Sequence, residues 1–404
     1  MNSPKDIRIE EYDYPLPDER IAKFPLNQRD QSKLLVCKGS EIQESTFSHV
    51  AEFLSPDALL VFNDTKVIHA RLFFQKPTGS TIEVFCLEPW NQPVATAFEE
   101  RAHSTWTCFV GNNKKWKSEP LSRTFVIDNK EVTLTATRRE AVTNTWIVDF
   151  DWTGGFSFAE IIDQAGVIPL PPYLNRDAES SDNERYQTVY ARFEGSVAAP
   201  TAGLHFTDRV FESLKAKGIE TEFITLHVGA GTFKPVSSET IGEHEMHVEK
   251  VQVSRFNLEH IVTHQGKPVI PVGTTTVRTL ESVYWFGVKL SQNPQLESMH
   301  VLQWDPYELE CLNVGTADAY RNVLRWMDTH GLDLLDGDTQ LLIAPGYRYH
   351  VVNGIITNFH QPKSTLLLLV SALIGDQWKS CYRYALDHVF RFLSYGDSCL
   401  FLKN

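Results

Sequence analysis

The sequence predicts an α/β main domain built from both ends of the chain, with a small, barrel-like all-β domain inserted into it. Three observations carry this prediction. Between Gly79 and Trp152 the apolar residues alternate with period two in short β-branched or aromatic runs, which is typical of strands. On either side, segments with helical periodicity alternate with short apolar strands. Residues 66–155 carry a net charge of +1, whereas the remainder carries −14. We therefore expect the inserted domain over 66–155 and the main domain over 1–65 and 156–404.

The inserted domain is expected to contain no helix of useful length. Its strands are predicted from runs that are separated by turn-forming GNN, DNK and PTGS: TIEVFCLEP, TWTCFV, RTFVID, KEVTLTATR and TNTWIVDFDW. Strands of this even spacing favour a closed or nearly closed barrel.

The main domain is expected to combine amphipathic helices with buried strands. Its helices are predicted from FSFAEIIDQAG, TDRVFESLKAKG, TTTVRTLESVYWF and ADAYRNVLRWMDTHG. Its strands are predicted from GIETEFITLHV, PVIPVG and TQLLIAPG.

Composition excludes several classes of protein. The chain has 404 residues, 42% of them hydrophobic and 22% charged, which is ordinary for a globular protein. Its first residues are polar and acidic, and its longest apolar run, Leu366 to Ile374, is far shorter than the ~20 residues that span a bilayer. Six cysteines without a CxxC pair indicate reduced thiols, so we expect a cytoplasmic protein. A net charge of −13 argues against a surface generally coated with nucleic acid.

The glycine-rich stretch LHVGAGTFKPV, residues 226–236, raises the question of a phosphate site. A dinucleotide fingerprint needs a third glycine where Lys234 stands, and Pro235 disfavours helical angles at that lysine. No Gly-Lys-Ser/Thr follows, so the Walker pattern is absent too. Gly229 and Gly231 then serve either a tight turn between strands or the close approach of the backbone to another ligand.

Two stretches bring histidine into polar surroundings. His205 lies between apolar neighbours in VAAPTAGLHFT, where a satisfied core residue is the alternative to a site residue. In EHEMHVE, two histidines are three residues apart, whereas the His-Glu-x-x-His zinc pattern needs four. If VEKVQVS continues this stretch as one strand, Glu245, His247 and Glu249 share a face suited to acid–base chemistry, and no metal is expected.

The stretch GTTTVRTLES places Arg278 one turn into a helix that follows a glycine and three threonines. Helix-start amides and an arginine together suit a carboxylate ligand. An ordinary helix cap, or a pair between Arg278 and Glu281, is the alternative. Two C-terminal stretches, TNFHQPKSTLLLLVSALIG and FLSYGDSCLF, add polar residues in front of a buried helix and in a turn.

These motifs together resemble the S-adenosylmethionine:tRNA ribosyltransferase-isomerases of queuosine biosynthesis. The resemblance runs in family order through YDYPLPDERIAKFPLNQRDQSKLLV, LLVFNDTKVIHARL, IPLPPYLNRD, RYQTVYARFEGSVAAPTAGLHFT, LHVGAGTFKPV, HEMHVE, GTTTVRTLES, PGYRYHVVNGIITNFHQPKSTLLLLVSALIG and FLSYGD. Lys33 stands where that family usually has arginine, His69 stands where proline is expected, and residues 284–339 look longer than usual.

The resemblance implies transfer and isomerisation of the ribosyl part of S-adenosylmethionine onto 7-aminomethyl-7-deazaguanine at the wobble position of tRNA. Epoxyqueuosine in tRNA, adenine and methionine are the expected products. S-adenosylmethionine is then a cosubstrate, no prosthetic group is expected, and the partner is tRNA carrying the deazaguanine in its anticodon. A non-catalytic tRNA- or nucleoside-binding paralogue and an S-adenosylmethionine-dependent methyltransferase are the alternatives. Retained polar residues disfavour the first, and the missing Gly-x-Gly-x-x-Gly turn disfavours the second.

Candidate site residues follow from the stretches that carry the resemblance. The catalytic candidates are His247, Glu249, His205 and His227. The substrate-binding candidates are Thr201, Gly229, Gly231, Thr232, Lys234, Thr275, Thr276, Arg278, Asn358, His360, Ser364, Tyr395 and Asp397. Which residue removes the 5′ proton, how tRNA docks and whether the chain is a monomer or a homodimer are left open.

The inserted domain offers candidate tRNA contacts because it is the least acidic region of the chain. Basic residues interleaved with aromatic ones favour contact with nucleic acid. The candidates are Lys114, Lys115, Lys117, Arg138 and Arg139, with Trp116 as a stacking partner. A solvated loop on a neutral barrel is the alternative.

Overall fold

A computed structural model describes residues 3–227 and 238–403 of the chain, as a mixed α/β structure. Its strands are β1 (Lys33–Lys38), β2 (Glu41–Thr46), β3 (Leu59–Asn63), β4 (Thr65–Val67), β5 (Arg71–Gln75), β6 (Thr81–Pro89), β7 (His103–Gly111), β8 (Leu121–Ile127), β9 (Lys130–Val142), β10 (Thr145–Trp152), β11 (Gly166–Val167), β12 (Phe193–Ser196), β13 (Glu220–His227), β14 (Glu249–Ser254), β15 (Val269–Pro271), β16 (Met299–Val301), β17 (Leu334–Thr339), β18 (Gly354–Asn358) and β19 (Ser398–Leu402).

The α-helices of the same residues lie outside 66–155, with the exception of the short helix α1. They are α1 (Val94–Glu99), α2 (Phe158–Ala165), α3 (Asp182–Arg185), α4 (Asp208–Ala216), α5 (Arg255–Thr263), α6 (Thr274–Gln292), α7 (Asp305–Leu309), α8 (Thr316–His330), α9 (Thr365–Ile374) and α10 (Gln377–Asp387).

A six-stranded mixed sheet has the order β15-β3-β13-β14-β17-β16. Strand β3 pairs in parallel with both β15 and β13, and β14 pairs antiparallel with β13 and β17. Helix α6 begins directly after β15 and is almost wholly buried in the largest apolar core. The ends of β15 and β18 are joined by a parallel bridge between Val272 and Ile356, which brings the loops that follow both strands together.

A four-stranded sheet of order β18-β19-β1-β2 joins the two ends of the chain. Strand β1 pairs in parallel with β19, from Leu34 opposite Ser398 to Lys38 opposite Leu402. A pairing this distant in sequence fixes the C-terminal strand against the N-terminal segment. The final turn, 392–397, is thereby held close to residues 29–33.

A seven-stranded antiparallel sheet of order β11-β5-β6-β7-β10-β9-β8 contains the five strands predicted for the β-rich region. Alternate residues face a core of its own, as in the pattern of β6, whose Ile82, Val84 and Cys86 are buried. In the described residues no ladder joins the edge strands β8 and β11, although Arg123 on β8 donates a hydrogen bond to the carbonyl of Ala165 at 2.7 Å. The sheet is therefore not closed by a backbone ladder.

This region contains one short α-helix of six residues, too short for a helical period to reveal in sequence. Helix α1 follows Pro93, and the amide of Ala97 donates to the carbonyl of that proline at 3.0 Å. Ala97 and Phe98 are buried against the sheet, and this contact stabilises a six-residue helix too short to show a period.

The predicted elements of the main domain are otherwise confirmed, with two corrections. TQLLIAPG is not a strand, because β17 ends at Thr339 and the residues after it form no ladder: the amide of Leu342 donates to the carbonyl of Gln303, and the amide of Ala344 donates to the hydroxyl of Tyr307 at 3.0 Å. EHEMHVE is not a strand before Glu249. Its backbone bonds the side-chain amides of Gln303 and Gln340 at 2.7–3.1 Å instead of a neighbouring strand.

Helix α6 carries a buried carboxylate, Glu281, that organises the chain after β17. Glu281 accepts hydrogen bonds from the hydroxyl of Tyr347 at 2.7 Å and from the backbone amides of Val351 and Val352 at 2.9 and 3.0 Å. The amide of His350 also points to it, at 3.1 Å. Four donors on one carboxylate hold residues 347–352 against the helix.

We expect Glu281→Ala to lower the free energy of unfolding by about 3 kcal/mol or more, because several buried donors lose their acceptor together. Chemical denaturation followed by fluorescence measures this change. Glu297→Ala, at an exposed position, is the matched control and should change stability by less than about 0.5 kcal/mol. Equal, small effects of the two substitutions would contradict the role given to Glu281.

Candidate functional site

A cleft lined by both apolar and polar residues lies where the loops after β15 and β18 meet the segment that leads into β14. It also receives residues from the chain after β12 and from the final turn. The lining residues are Tyr173, Tyr186, Ala198, Ala199, Pro200, Thr201, Ala202, His244, Met246, His247, Glu249, Gly273, Thr274, Thr275, Arg278, Thr357, Asn358, Phe359, His360, Gln361, Ser364, Thr365, Leu366, Leu393 and Ser394.

The N-terminus of α6 forms one wall of the cleft. Gly273 precedes the helix with φ of 93°, a value that favours glycine, and its amide donates to the carbonyl of Ile356 at 2.8 Å. Thr274 and Thr275 follow and line the cleft, so the helix presents its first turn there. The first amides of a helix and its dipole favour an anionic group at this position.

Arg278, one turn into α6, is the buried cation of the cleft, with 6% of its surface exposed. Its Nη1 lies 3.0 Å from Oε2 of Glu249, which is equally buried. The contact is an ion pair without hydrogen-bond geometry, so Glu249 Oε2 has no donor among the described residues. Nε and Nη2 of Arg278 have no acceptor there either. These two nitrogens form one edge of the guanidinium, and such an edge matches the two oxygens of a carboxylate.

The alternative pair between Arg278 and Glu281 is wrong. Glu281 lies on the same helix but its oxygens bond Tyr347 and the amides of 350–352, as described above. The partner of Arg278 is instead Glu249, a residue of β14 that sequence spacing on one helix does not indicate.

His205 lies behind the cleft rather than in its wall. Its Nδ1 is 2.8 Å from the hydroxyl of Ser32, and its Nε2 is 3.2 Å from Nδ2 of Asn358. The same Nδ2 donates to the carbonyl of Leu393 at 3.2 Å, which identifies it as the amide nitrogen. Nε2 of His205 therefore accepts, and Nδ1 donates to Ser32. Burial lowers the pKa of His205 to about 4, which keeps the ring neutral at pH 7.

Asn358 links this buried network to the cleft. Its Nδ2 is used by His205 and Leu393, whereas its Oδ1 has no hydrogen-bond partner among the described residues. Because Asn358 lines the cleft, this oxygen is a ready acceptor for an N–H group of a ligand.

Three further histidines line the cleft. His360 contacts the hydroxyl of Thr357 through Nε2 at 3.0 Å, and burial lowers its pKa to about 3. Burial, and then the neighbouring His247, lowers the pKa of His244. His247 is exposed at the edge of the cleft, while Glu249 is buried. The cleft therefore contains two imidazoles whose pKa burial lowers, those of His244 and His360, beside the buried pair of Arg278 and Glu249.

The remaining predicted residues are divided between the cleft and its surroundings. Thr201 and Ser364 line it. Thr276 does not, because it is buried and its hydroxyl donates to the carbonyl of Val272 at 2.8 Å. Tyr395 donates to Asp182 at 2.7 Å, and Asp397 accepts from the amides of Lys33 and Arg391 at 3.0 and 2.7 Å. These two residues hold the final turn and lie outside the cleft lining.

His227 ends β13 outside the cleft lining. Its Nδ1 is 3.0 Å from the hydroxyl of Thr65, and burial lowers its pKa to about 4. The substrate-binding candidates Gly229, Gly231, Thr232 and Lys234 follow it in sequence and lie outside the described residues. Their role stays a prediction.

Sequence reasoning missed several residues of the cleft. Tyr173 and Tyr186 line it from the IPLPPYLNRD and RYQTVY stretches, and burial raises the pKa of both. The hydroxyl of Tyr173 bonds that of Ser394. Met246 adds an apolar surface between His244 and His247. The polar residues around both tyrosines could have indicated a site in the sequence. A tyrosine in a loop, however, is equally typical of ordinary packing.

The predicted tRNA patch differs from the prediction in two details. Lys114, Lys115 and Lys117 are exposed, but Trp116 is 1% exposed and cannot stack on a base. Its indole donates to the carbonyl of Glu119 at 2.9 Å. Arg138 lies over the ring of Trp146 at 4.1 Å and donates to the carbonyls of residues 113 and 117. Arg139 lies 3.7 Å from Asp149. Arg138 thus holds the lysine-bearing loop.

The structure is that of a mixed α/β protein whose cleft combines a helix N-terminus with a buried arginine, features that suit an anionic group. A family model described as "Queuosine biosynthesis protein" matches residues 9–401. The chain belongs to this family, and within it to the S-adenosylmethionine:tRNA ribosyltransferase-isomerases, which are enzymes.

Curated relatives of that name match over nearly their whole length. The protein of Halothermothrix orenii is 40% identical over 402 residues, which cover 98% of this chain and 100% of the relative. That of Trichlorobacter lovleyi is 38% identical over 397 residues, covering 97% and 99%. A solved structure of S-adenosylmethionine tRNA ribosyltransferase from Thermotoga maritima is 28% identical to this chain. The match covers 97% of this chain and 100% of that chain, with a TM-score of 0.47.

None of the helices in residues 3–227 and 238–403 has the length and apolar character needed to cross a bilayer.

Proposed function

We propose that this enzyme transfers and isomerises the ribosyl part of S-adenosylmethionine onto 7-aminomethyl-7-deazaguanine at the wobble position of tRNA. Epoxyqueuosine in tRNA, adenine and methionine are the products. The observation that carries the proposal is the match to relatives of this name over nearly the full chain. The cleft supports it because an adenosyl cosubstrate with a methionine carboxylate needs a buried cation, and Arg278 is one.

The chemistry sets the demands on the cleft. The sulfonium makes the adjacent 5′ carbon acidic, so a base that removes its proton starts the loss of adenine. The attacking amine must be neutral, and the leaving adenine benefits from a proton. Histidines suit such proton transfers because their ordinary pKa lies near neutrality.

We place the methionine carboxylate against the edge of Arg278 that Nε and Nη2 form, since neither nitrogen has an acceptor among the described residues. Nε and Nη2 supply two parallel donors, and the first turn of α6 adds its amides and the hydroxyl of Thr275. Glu249 lies on the opposite side of the guanidinium and keeps it oriented. In this arrangement Glu249 is a positioning residue as much as an acid–base candidate.

His205 acts through Asn358. Both ring nitrogens of His205 are used, one with Ser32 and one with Asn358, so neither is directed at a substrate. The ring fixes the amide of Asn358, and we assign to its Oδ1, which has no hydrogen-bond partner among the described residues, the role of accepting from a ligand in the cleft. His205 is accordingly a positioning residue, and His244, His247 and His360 are the imidazoles that line the reaction space.

The β-rich region 66–155 is proposed as a separate domain that docks tRNA, inserted into a main domain of residues 1–65 and 156–404. Its antiparallel sheet and the apolar core on that sheet support a separate domain, and both extend past residue 155 to include α2 and β11. The exposed Lys114, Lys115 and Lys117 lie on one loop, where they would contact phosphates without reading sequence.

A product assay tests the reaction. Incubation with labelled S-adenosylmethionine and precursor tRNA should release free adenine and methionine. A methyltransferase would give S-adenosylhomocysteine, and a protein that only binds tRNA would give neither set of products. Either result would overturn the proposal.

Arg278→Lys should raise the dissociation constant of S-adenosylmethionine by the equivalent of about 1.5–3 kcal/mol, because lysine cannot present two parallel donors. Calorimetric titration measures the constant, and tRNA affinity should be unchanged. Arg255→Lys, a half-buried arginine paired with Asp328, is the control. A lower melting temperature with unchanged cosubstrate affinity would identify Arg278 as a structural ion pair only.

His247→Ala should slow single-turnover release of adenine at least about 100-fold, the usual contribution of a general acid or base, while the protein stays folded. Its position at the cleft edge and its neighbours His244 and Glu249 motivate this expectation. His300→Ala removes an exposed histidine beside Asp338 and is the control. Rates near those of the unchanged protein would show that His247 takes no part in proton transfer.

Chelators should leave the rate of adenine release unchanged, because the histidine spacing in EHEMHVE fits no standard metal motif.

Changing Lys114, Lys115 and Lys117 together to Ala should weaken tRNA binding and reduce its salt dependence by about two to three counterions, since each of three phosphate contacts releases slightly less than one. Binding titrations at several salt concentrations measure the slope. A triple change of the exposed lysines Lys38, Lys215 and Lys379 is the control. If both triple variants keep the original slope, this loop is not part of the interface.

A further inference from the structure

Strand β13 and helix α5 bring three metal-ligating side chains together away from the cleft. Glu220 begins β13, and His260 and His264 are four residues apart at the end of α5. One ligand atom from each lies within 4.8 Å of the others, and no other such group occurs in residues 3–227 and 238–403. Histidines at this spacing share one face of a helix, which is the arrangement of metal-binding helices.

His264 is the observation that points to a ligand. Its side chain is buried, with 3% of the residue exposed, and its Nε2 has no hydrogen-bond partner among the described residues. The same ring makes a hydrogen bond with the backbone of Asp57. A buried ring nitrogen without a partner is unfavourable unless something else binds it.

A carboxylate bonds one ring nitrogen of His260, as is usual for histidines that bind a metal. Its Nδ1 lies 2.6 Å from Oε1 of Glu222, whose other oxygen accepts from Nδ2 of Asn257 at 2.7 Å. A carboxylate on one ring nitrogen orients the other nitrogen toward a metal. That other nitrogen, Nε2, lies 2.8 Å from Oε2 of Glu220.

We propose that Glu220, His260 and His264 bind Zn²⁺, with water completing a tetrahedral site. Two imidazoles and one carboxylate are the donor set that zinc accepts. Ligands about 2.1 Å from a tetrahedral ion lie about 3.4 Å apart, so rotations of the exposed Glu220 and the half-buried His260 toward His264 would bring the three ligand atoms to this spacing. On binding, any proton on Nε2 of His260 passes to solvent, since the metal needs the free lone pair.

The site has no residue in common with the cleft. Glu220 is at the opposite end of β13 from His227, and none of the three ligands lines the cleft. The ion would fasten α5 to β13, so its effect is on stability rather than on the reaction.

Titration of the chelator-treated full chain with Zn²⁺, followed by calorimetry, tests the proposal. One ion per chain should bind, and Co²⁺ at the same site should give the visible absorption of a tetrahedral complex that Zn²⁺ then abolishes. Glu220→Gln, at an exposed position, and His264→Gln should each remove this binding. Glu222→Gln should weaken it about 10- to 100-fold.

The pair His49 and Glu52, also 2.8 Å apart but without a third ligand, supplies the control. His49→Ala should leave stoichiometry, affinity and the Co²⁺ spectrum unchanged. Zn²⁺ should raise the melting temperature of the unchanged protein but not of Glu220→Gln, while adenine release is the same in both. No stoichiometric binding, or binding that survives both ligand substitutions, would show that His260 and Glu220 form an ion pair only and overturn the site.

Discussion

The burial of helix α6 is the constraint on which the cleft depends. The helix carries two charges into the largest core, Arg278 and Glu281, one turn apart. An ionised group in such a place needs partners, because desolvation is costly. Glu281 finds four donors in the chain 347–352, and this contact fixes the loop that leads into β18. Arg278 finds one oxygen of Glu249, and this contact fixes the start of β14. Two walls of the cleft are thus tied to one helix.

A second buried network ties the third wall to the chain ends. Ser32, His205, Asn358 and Leu393 form a continuous series of contacts from the N-terminal segment to the final turn. The series requires a neutral imidazole, because Nε2 of His205 must accept while Nδ1 donates. Burial, which lowers the pKa of His205, supplies that state. Ser32 precedes β1 and Leu393 precedes β19, so the parallel pairing of these two strands keeps the two residues near each other.

Local patterns predicted most of the elements and part of the cleft. Alternation predicted β6 to β10, and glycine after helical periodicity predicted α2 and α4. The failures share a cause, since they depend on partners distant in sequence. Residues 244–248 resemble a strand, but Gln303 and Gln340 occupy their backbone groups. The position of Arg278 at a helix start predicted it as a site residue, but its ion-pair partner was not predicted. Sequence spacing indicates Glu281, three residues on, whereas the observed partner Glu249 comes from β14.

The open edge of Arg278 also explains how the cleft can select its ligand. Nε and Nη2 of Arg278 are buried donors without an acceptor in residues 3–227 and 238–403, so a ligand that leaves them unpaired should bind poorly, since burial has already removed water from them. Discrimination by unpaired polar groups is much stronger than discrimination by an apolar pocket that is slightly too large. The apolar surfaces of Met246, Phe359 and Leu393 accept many shapes, whereas the guanidinium edge requires two oxygens in one plane. In the proposed function, the amino-acid end of the cosubstrate is the part recognised by charge and geometry, and the rest of the molecule is recognised by fit.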